Sequence, residues 1–337
     1  MTTIGERLNL AIVPRQRWSL ALDSLNATLA ETPEGTGLVY VDGGSPTDIA
    51  DALRSRVDEY GGIYIRVDCV LSPNEARNLA IAECDREYVI IHDNDVFPRD
   101  GWAEKLVRCA DETGAAMVAP TVLHGPTTKT DEIHIAGGEV HITEDRVMDR
   151  NTRNYSHTKM ADLPVKLERG PTSQIEFHSC LIRNEYLEKI GPLDEEIFSM
   201  ADHEDVTMAI DAAGGTLFYE PESVIVYVLM AVVDKREWGY WQLRWSNEWN
   251  ARSFDRFCAK WDLKRDEGWP QWAELWATRE RTWWYHRQNL AMTWLGKGLR
   301  FASRWKITST PVSAMEELVM RHGRAERKRR IAVLGHS

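Results

Sequence analysis

Two carboxylates close an apolar run in "REYVIIHDNDVFPRDGW" (residues 86–102): Asp93 and Asp95, with only Asn94 between them. Tyr88, Val89, Ile90 and Ile91 read as a buried strand, so the acids stand at its end. Two ionised carboxylates about 4 Å apart repel by roughly 4 kcal/mol at an effective dielectric near 20. One remedy raises a pKa; another binds a hard, oxygen-seeking cation such as Mg²⁺ or Mn²⁺. A cation held there also grips a diphosphate and neutralises charge building on a departing phosphate. A second acidic pair, Glu204 and Asp205, lies in "MADHEDVTMAIDAAGG" (residues 200–215), which reads as a helix with a glycine stop. Acids at a helix start are favoured by its exposed amides and dipole, so one of the two can simply cap. Either can also take a proton from an attacking hydroxyl, a role contributing about 10²–10⁴-fold to a rate. Asp202 is the expected N-cap.

The elements that position these acids alternate. Strands are expected at 8–13, 37–42, 62–67, 88–92 and 115–120, and helices at 18–29, 47–60, 74–83 and 100–113. Short apolar strands alternating with helices indicate an α/β fold with a mostly parallel, Rossmann-like sheet covered on both faces. Ligands of such sheets sit beyond the carboxyl ends of the strands, where Asp93 and Asp95 lie. The pattern loosens from about 123 to 172, with one hairpin expected at 133–143. It resumes as a strand and helix at 175–191, the helix at 200–215 and two apolar runs reaching Val233.

The formal net charge of −11 disfavours nucleic-acid binding. Five cysteines (Cys69, Cys84, Cys109, Cys180, Cys258), odd in number and without a CxxC pair, fit a reducing cytoplasm better than a disulfide framework or zinc site. No signal peptide is read at the start, and the longest apolar run, at 224–233, is too short to span a bilayer. Twelve of the fourteen tryptophans fall between Trp238 and Trp305, so residues 234–337 read as a helical extension of a domain at 1–233. Trp238, Trp241, Trp245 and Trp249 are spaced for one helix face, as are Trp269, Trp272 and Trp276. Such stripes usually form core; the alternatives are a platform for a sugar acceptor or a membrane-interface contact. The basic tail "RHGRAERKRR" (residues 321–330) reads as a solvated helix end, with attachment to anionic lipid at the inner membrane face as the sharper reading.

In order and spacing the chain resembles the family 2 glycosyltransferases of the GT-A fold, over roughly Leu8 to Tyr227. "LNLAIVPRQRW" resembles the family's first strand and loop, "VYVDGGSPTD" its second strand and turn, and "PNEARNLAIAECDREYVIIHDNDVFPRDGW" matches most closely. The resemblance implies a metal-assisted, inverting transfer from a nucleotide-sugar, UDP- or GDP-linked, to a glycan, lipid-linked or protein acceptor. It divides the domain into a donor half (about 1–120) and an acceptor half (about 121–233). Pro14 and Arg15 would face the base, Asp42 the base or ribose, and Arg77 the phosphates. Asn94 would join the donor site, Asp93 would meet ribose or a metal-bound water, and Asp95 would bind Mn²⁺ or Mg²⁺ directly. "FHSCLIRNEYLEKIGPLDEEIF" resembles the acceptor wall, and "ADHEDVTMAIDAAGGTLFYEP" the segment carrying the base. The family pattern makes Asp205 the base and gives Glu204 to the acceptor or a nearby loop. Trp102, Glu176 and His178 are acceptor candidates, with packing beneath the Asp93–Asp95 loop an equal reading for Trp102 and a structural role the alternative for His178 and Glu176.

One position departs from the pattern. Where many relatives carry a metal-binding His, "EPESVIVYV" offers Tyr227, a poor ligand, so His203 or the diphosphate itself would complete the shell and affinity for metal alone would be weak. Two rival readings are a nucleotidyltransferase and a non-catalytic carbohydrate-binding protein. The first normally needs a Gly-rich loop after the first strand, which "VPRQRW" lacks, and the second has no use for the acids.

Overall fold

A computed structural model describes residues 2–151, 155–228, 234–277 and 323–335. Strands and helices alternate from the start: β1 (Leu8–Val13), α1 (Trp18–Ala30), β2 (Gly37–Gly43), α2 (Thr47–Tyr60), β3 (Ile63–Val67), α3 (Pro73–Ile81) and β4 (Tyr88–Asp93). Next come β5 (Val96–Pro98), α4 (Trp102–Thr113), β6 (Met117–Gly125), β7 (Ile133–Ile135), β8 (Glu139–Ile142), β9 (Met148–Asn151) and β10 (Gly170–Pro171). The remainder holds β11 (Ser179–Arg183), α5 (Asn184–Ile190), α6 (Asp202–Ala212), β12 (Leu217–Val228), α7 (Trp238–Arg244) and α8 (Asn247–Trp261).

One ten-stranded sheet runs in the order β10-β12-β6-β11-β4-β1-β2-β3, with β5 paired to β12 and β7 to β6. β3, β2, β1 and β4 are parallel, and β11 lies antiparallel between β4 and β6. From β1 the chain steps to β2 on one side, while β4 lies on the other, which opens a crevice beyond their carboxyl ends. Val13 is in register with Asp93, so the loop after β1 lies beside the acid pair.

Continuous apolar runs follow from two covered faces. Tyr88 and Ile90 of β4 join a core with Leu10, Trp102 and Leu106, whereas Val89 and Ile91 join another with Ala76, Ala80 and Ile182. α3 starts at a reciprocal cap: Ser72 Oγ accepts the Glu75 N–H (3.4 Å), and Glu75 Oε2 accepts the Ser72 N–H (2.7 Å). The turn after β2 requires Gly44, whose φ is +71° and whose added Cβ would meet the Cys69 carbonyl carbon at 2.7 Å.

Four expectations change. The hairpin at 133–143 does not form, because β7 pairs with β6 and β8 with β9. The two apolar runs after α6 are one strand, β12, with an irregularity between Glu220 and Val224; residues 229–233 lie outside the described set. The first tryptophan stripe is split, since α7 stops at Arg244 and Ser246 caps α8 by accepting the Trp249 N–H (3.2 Å). Trp241 and Trp245 therefore pack with Phe254 and Trp269, while Trp249 packs with Trp18, Val70 and Tyr240. Trp269 is buried and Trp272 exposed; Trp283, Trp284, Trp294 and Trp305 lie outside the described residues. Last, the basic tail is not wholly solvated. Arg330 is fully buried against Glu75 (2.8 and 2.9 Å), and the partly exposed Arg327 pairs with Glu248. No helix among the described residues is long and apolar enough to cross a membrane.

Candidate active site

The acid pair is ringed by arginine. Asp93 Oδ2 accepts from Arg15 Nε (2.9 Å) and lies 3.6 Å from His178 Nδ1, and Asp95 Oδ2 lies 3.7 Å from Arg17 Nε. Asn94 ties the strand tips together: its N–H donates to the Val13 carbonyl (3.1 Å), and its Oδ1 accepts the Arg15 N–H (2.8 Å). Asp93, Asn94 and Asp95 are each at most 2% exposed, so a ligand reaching them displaces part of this shell. Asp93 Oδ1 and Asp95 Oδ1 have no hydrogen-bond partner among the described residues, and neither do Arg15 Nη1, Arg17 Nε or Arg244 Nε. Arg244 arrives from α7, its Nη1 bonded to Gln16 Oε1.

The two acids have opposite proton affinities. Burial pushes both pKa values up, but Arg15, His178 and Arg77 outweigh it at Asp93, which falls below the usual range. At Asp95 burial prevails over Arg17, the Asp93 charge adds to it, and the pKa rises. Carboxylates crowded into one place respond in this way, and unpartnered carboxylate oxygens suit a hard divalent cation. Tyr227 stacks on His178 (centroids 4.6 Å) beneath the Arg17 guanidinium (4.9 Å), and burial raises its pKa, so it stays a phenol and a poor ligand. His203 does not replace it: its Nδ1 lies 3.3 Å from Asp202 and its Nε2 3.0 Å from Glu204. The imidazole beside the acid pair is His178.

α6 begins after Ala201, whose φ of +68° puts a non-glycine residue in the left-handed region, a cost typical of functional turns. Ala201, rather than Asp202, occupies the N-cap. Asp202 instead meets Arg77 Nη1 at 2.6 Å; burial pushes its pKa up, but Arg77 and His203 outweigh this and hold it well below the usual range. Arg77 is fully buried, 4.2 Å over the Phe177 ring. Expected at the donor phosphates, it joins α3 to α6 through Asp202, leaves Nε and Nη2 without hydrogen-bond partners among the described residues, and its charge acts on Asp93.

Glu204 pairs with Arg150 and accepts from Gln174 Nε2 (3.2 Å). Arg150 also donates to Glu176 (2.7 Å), and Glu176 lies 3.8 Å from His178 Nε2. A chain of contacts thus runs Asp93, His178, Glu176, Arg150, Glu204. Burial raises the pKa of Glu176, yet Arg150 and the surrounding histidines outweigh it and bring it to about 2. Asp205 makes its bonds to α8: Lys260 Nζ at 2.8 Å and Trp261 Nε1 at 2.7 Å. Burial prevails over those donors and raises its pKa.

Among the remaining expected residues, Asp42 is buried and accepts from Ser45 Oγ and Tyr64 OH (both 2.7 Å) and from Arg66. The Pro14 carbonyl accepts from Tyr240 OH at 3.3 Å. Of the two readings of Trp102 the packing one holds: it is fully buried with its ring 5.1 Å from His92, and it offers no face to a sugar. Sequence reasoning missed Arg17, Arg150, Arg244, Lys260 and Trp261. Arg17 was legible as a second arginine in "VPRQRW", but the others come from distant segments without a pattern of their own. A cavity of about 760 Å³ bordered by Met160, Arg169 and Glu220 includes none of these site residues.

This curled, mostly parallel sheet flanked by helices is the architecture of the GT-A glycosyltransferases. The model of glycosyl transferase family 2 matches residues 11–190, more than half of the 337, and the chain belongs to that family of enzymes. Two curated relatives, each called Pre-mycofactocin glycosyltransferase, come from Mycobacterium tuberculosis strains CDC 1551 / Oshkosh and ATCC 25618 / H37Rv. Each is 24% identical over 209 residues, 59% of this chain and 39% of the relative, so the chain spans about two-fifths of their length. A solved structure of GalNAc-T7 with UDP, GalNAc and Mn²⁺ aligns with a TM-score of 0.53 at 13% identity, over 85% of this chain and 57% of that one; this likeness bears on the fold alone.

Proposed function

We propose that the chain transfers a sugar from a nucleoside-diphosphate donor to an acceptor hydroxyl with inversion, assisted by a divalent cation. One observation carries this reading: unpartnered carboxylate oxygens and unpartnered guanidinium N–H groups lie buried together at the carboxyl end of β4. Buried polar atoms without partners call for an explanation, and a cation-bound diphosphate satisfies both kinds at once. Asp95 and Asp93, with His178 beside them, would hold Mn²⁺ or Mg²⁺; Mn²⁺ accompanies UDP in the GalNAc-T7 structure. When bound, the ion supplies positive charge to the leaving diphosphate. Arg15, Arg17 and Arg244 hold phosphate oxygens and share that charge, while Pro14 and Asp42 line the base and ribose end.

Asp205 is the base in this reading. Burial raises its proton affinity toward the range useful for proton abstraction, and Lys260 and Trp261 fix its carboxylate. Glu204 is the second reading, favoured by the contact chain that joins it to Asp93. Kinetics separate them. The base, changed to its amide, loses about 10²–10⁴-fold in kcat with little change in KM, whereas an acceptor-binding acid mainly raises KM. Thermal unfolding with UDP and GDP, each with and without Mn²⁺, tests the site as a whole. A ligand at 100 times its Kd stabilises by about 2.7 kcal/mol. No stabilisation by either nucleotide with Mn²⁺ overturns the reading.

A further inference from the structure

Four imidazoles stand in a row leading away from the acid pair. Ring centroids of His178 and His134 are 5.4 Å apart, those of His134 and His124 4.9 Å, and those of His124 and His157 4.9 Å. The inner end belongs to the site already described. The outer end does not, and there His124 Nε2 and His157 Nδ1 converge on a single atom, Glu132 Oε1, at 2.9 and 2.8 Å.

Three backbone segments bring these groups together and are fastened to one another. His124 lies on β6, and its N–H donates to the Glu132 carbonyl (2.8 Å) just before β7. The His157 N–H donates to the Ile133 carbonyl, and the Ile133 N–H to the Thr158 carbonyl (both 2.9 Å). His157 and Tyr155 have φ of +64° and +63°, a left-handed backbone that costs a non-glycine residue about 1 kcal/mol or more. The segment is held at that cost in a geometry that puts His157 Nδ1 on Glu132 while the rest of its side chain is exposed.

Two imidazole nitrogens and a carboxylate oxygen, all within 4.8 Å of one another, are the donor set of a His₂Glu metal centre. Ligand atoms on a tetrahedral ion with bonds near 2.0–2.1 Å lie about 3.3 Å apart, so the two imidazole–carboxylate distances need open by only about half an ångström. Two nitrogen donors favour zinc over the oxygen-seeking Mg²⁺ and Mn²⁺ suited to Asp93 and Asp95.

We propose that His124, Glu132 and His157 form a second metal site of the zinc class, with three protein ligands and a fourth position for water, which staples the 155–159 segment to β6 and β7 at the outer end of the imidazole row. The site is separate from the cation of the transfer reaction, and its test does not depend on that reaction. The full chain is equilibrated with Zn²⁺ in excess Mg²⁺, freed of unbound metal and assayed for zinc by atomic absorption. About one zinc per chain should be retained. His157→Asn, at an exposed side chain that the fold tolerates, and Glu132→Gln should each weaken retention by about 100-fold or more, beyond the loss of an outer-shell partner. Glu176→Gln and Asp95→Asn should leave it intact, and X-ray absorption should show two imidazoles on the zinc. No zinc retained by the unaltered chain overturns the proposal, as does retention that survives both His157→Asn and Glu132→Gln. Loss in Glu176→Gln with retention in His157→Asn also overturns it, by moving the ion to His134, Glu176 and His178.

Discussion

The tip of β4 and the first turn of α6 both crowd carboxylates into a buried space, and the protein treats them in opposite ways. In that first turn each acid has its own cation: Arg77 for Asp202, Arg150 for Glu204 and Lys260 for Asp205. At β4 the arginines reach only one oxygen of each acid, and the other oxygen of each has no hydrogen-bond partner among the described residues, a condition that on α6 only Glu204 Oε2 shares. Breaking a buried pair strands a charge and costs about 3–5 kcal/mol, so the α6 acids hold the fold together. Asp95, whose pKa burial raises and whose Oδ1 has no hydrogen-bond partner among the described residues, is a net cost to the fold alone, which is the expected signature of a ligand site. Stability and activity should therefore separate between the two regions.

The largest effect sharpens that separation. Asp95→Asn should lower the rate of nucleoside diphosphate release from donor and acceptor by about 10⁴-fold, since the cation contributes several kcal/mol of charge stabilisation. Its unfolding temperature without ligands should match or exceed that of the unaltered chain, because a costly buried carboxylate is gone. Asp202→Asn should do the reverse, losing about 3–5 kcal/mol in urea denaturation by leaving Arg77 buried without its partner. Equal stability losses in the two variants would erase the contrast.

Acid should act on stability in two stages. Burial brings the pKa of His92 to about 4 from an unfolded value near 6.5, so the unfolded chain binds the extra proton between those limits and stability falls as pH drops through them. That difference corresponds to about 3 kcal/mol at 1.36 kcal/mol per pKa unit. Glu176, at about 2 against an unfolded value near 4.5, contributes stability that is complete above pH 4.5 and lost as pH falls toward 2. Unfolding free energy measured across pH should show both slopes, with the upper one absent in His92→Gln. The smallest effect concerns the helical extension. Arg244→Ala should raise donor KM by about 10–100-fold, the worth of one charge-assisted hydrogen bond of 1.5–3 kcal/mol, with kcat changing less.

Legibility in the sequence followed locality. The β1 to α4 alternation, the acids at the strand end and the helix stop at Gly214 (φ +81°) depend on neighbours within a turn or a strand, and all were readable. Trp102 stayed open between platform and plug because nothing within its own segment distinguishes them; the core it joins with β4 and β6 decides for the plug. The tryptophan stripe failed for a local reason that the spacing concealed, a serine cap at Ser246 that ends one helix face and begins another.

The amino-acid sequence by itself determined that a parallel sheet would end in Asp93 and Asp95, because strand periodicity and turn residues act over a few positions. Only the tertiary structure decided what each charged group meets. Arg244 reaches Gln16 across 228 residues, Arg77 reaches Asp202 across 125, and Lys260 reaches Asp205 across 55. Such pairings arise when separate elements pack, and a buried charge takes the partner that packing brings within reach, whatever its distance along the chain.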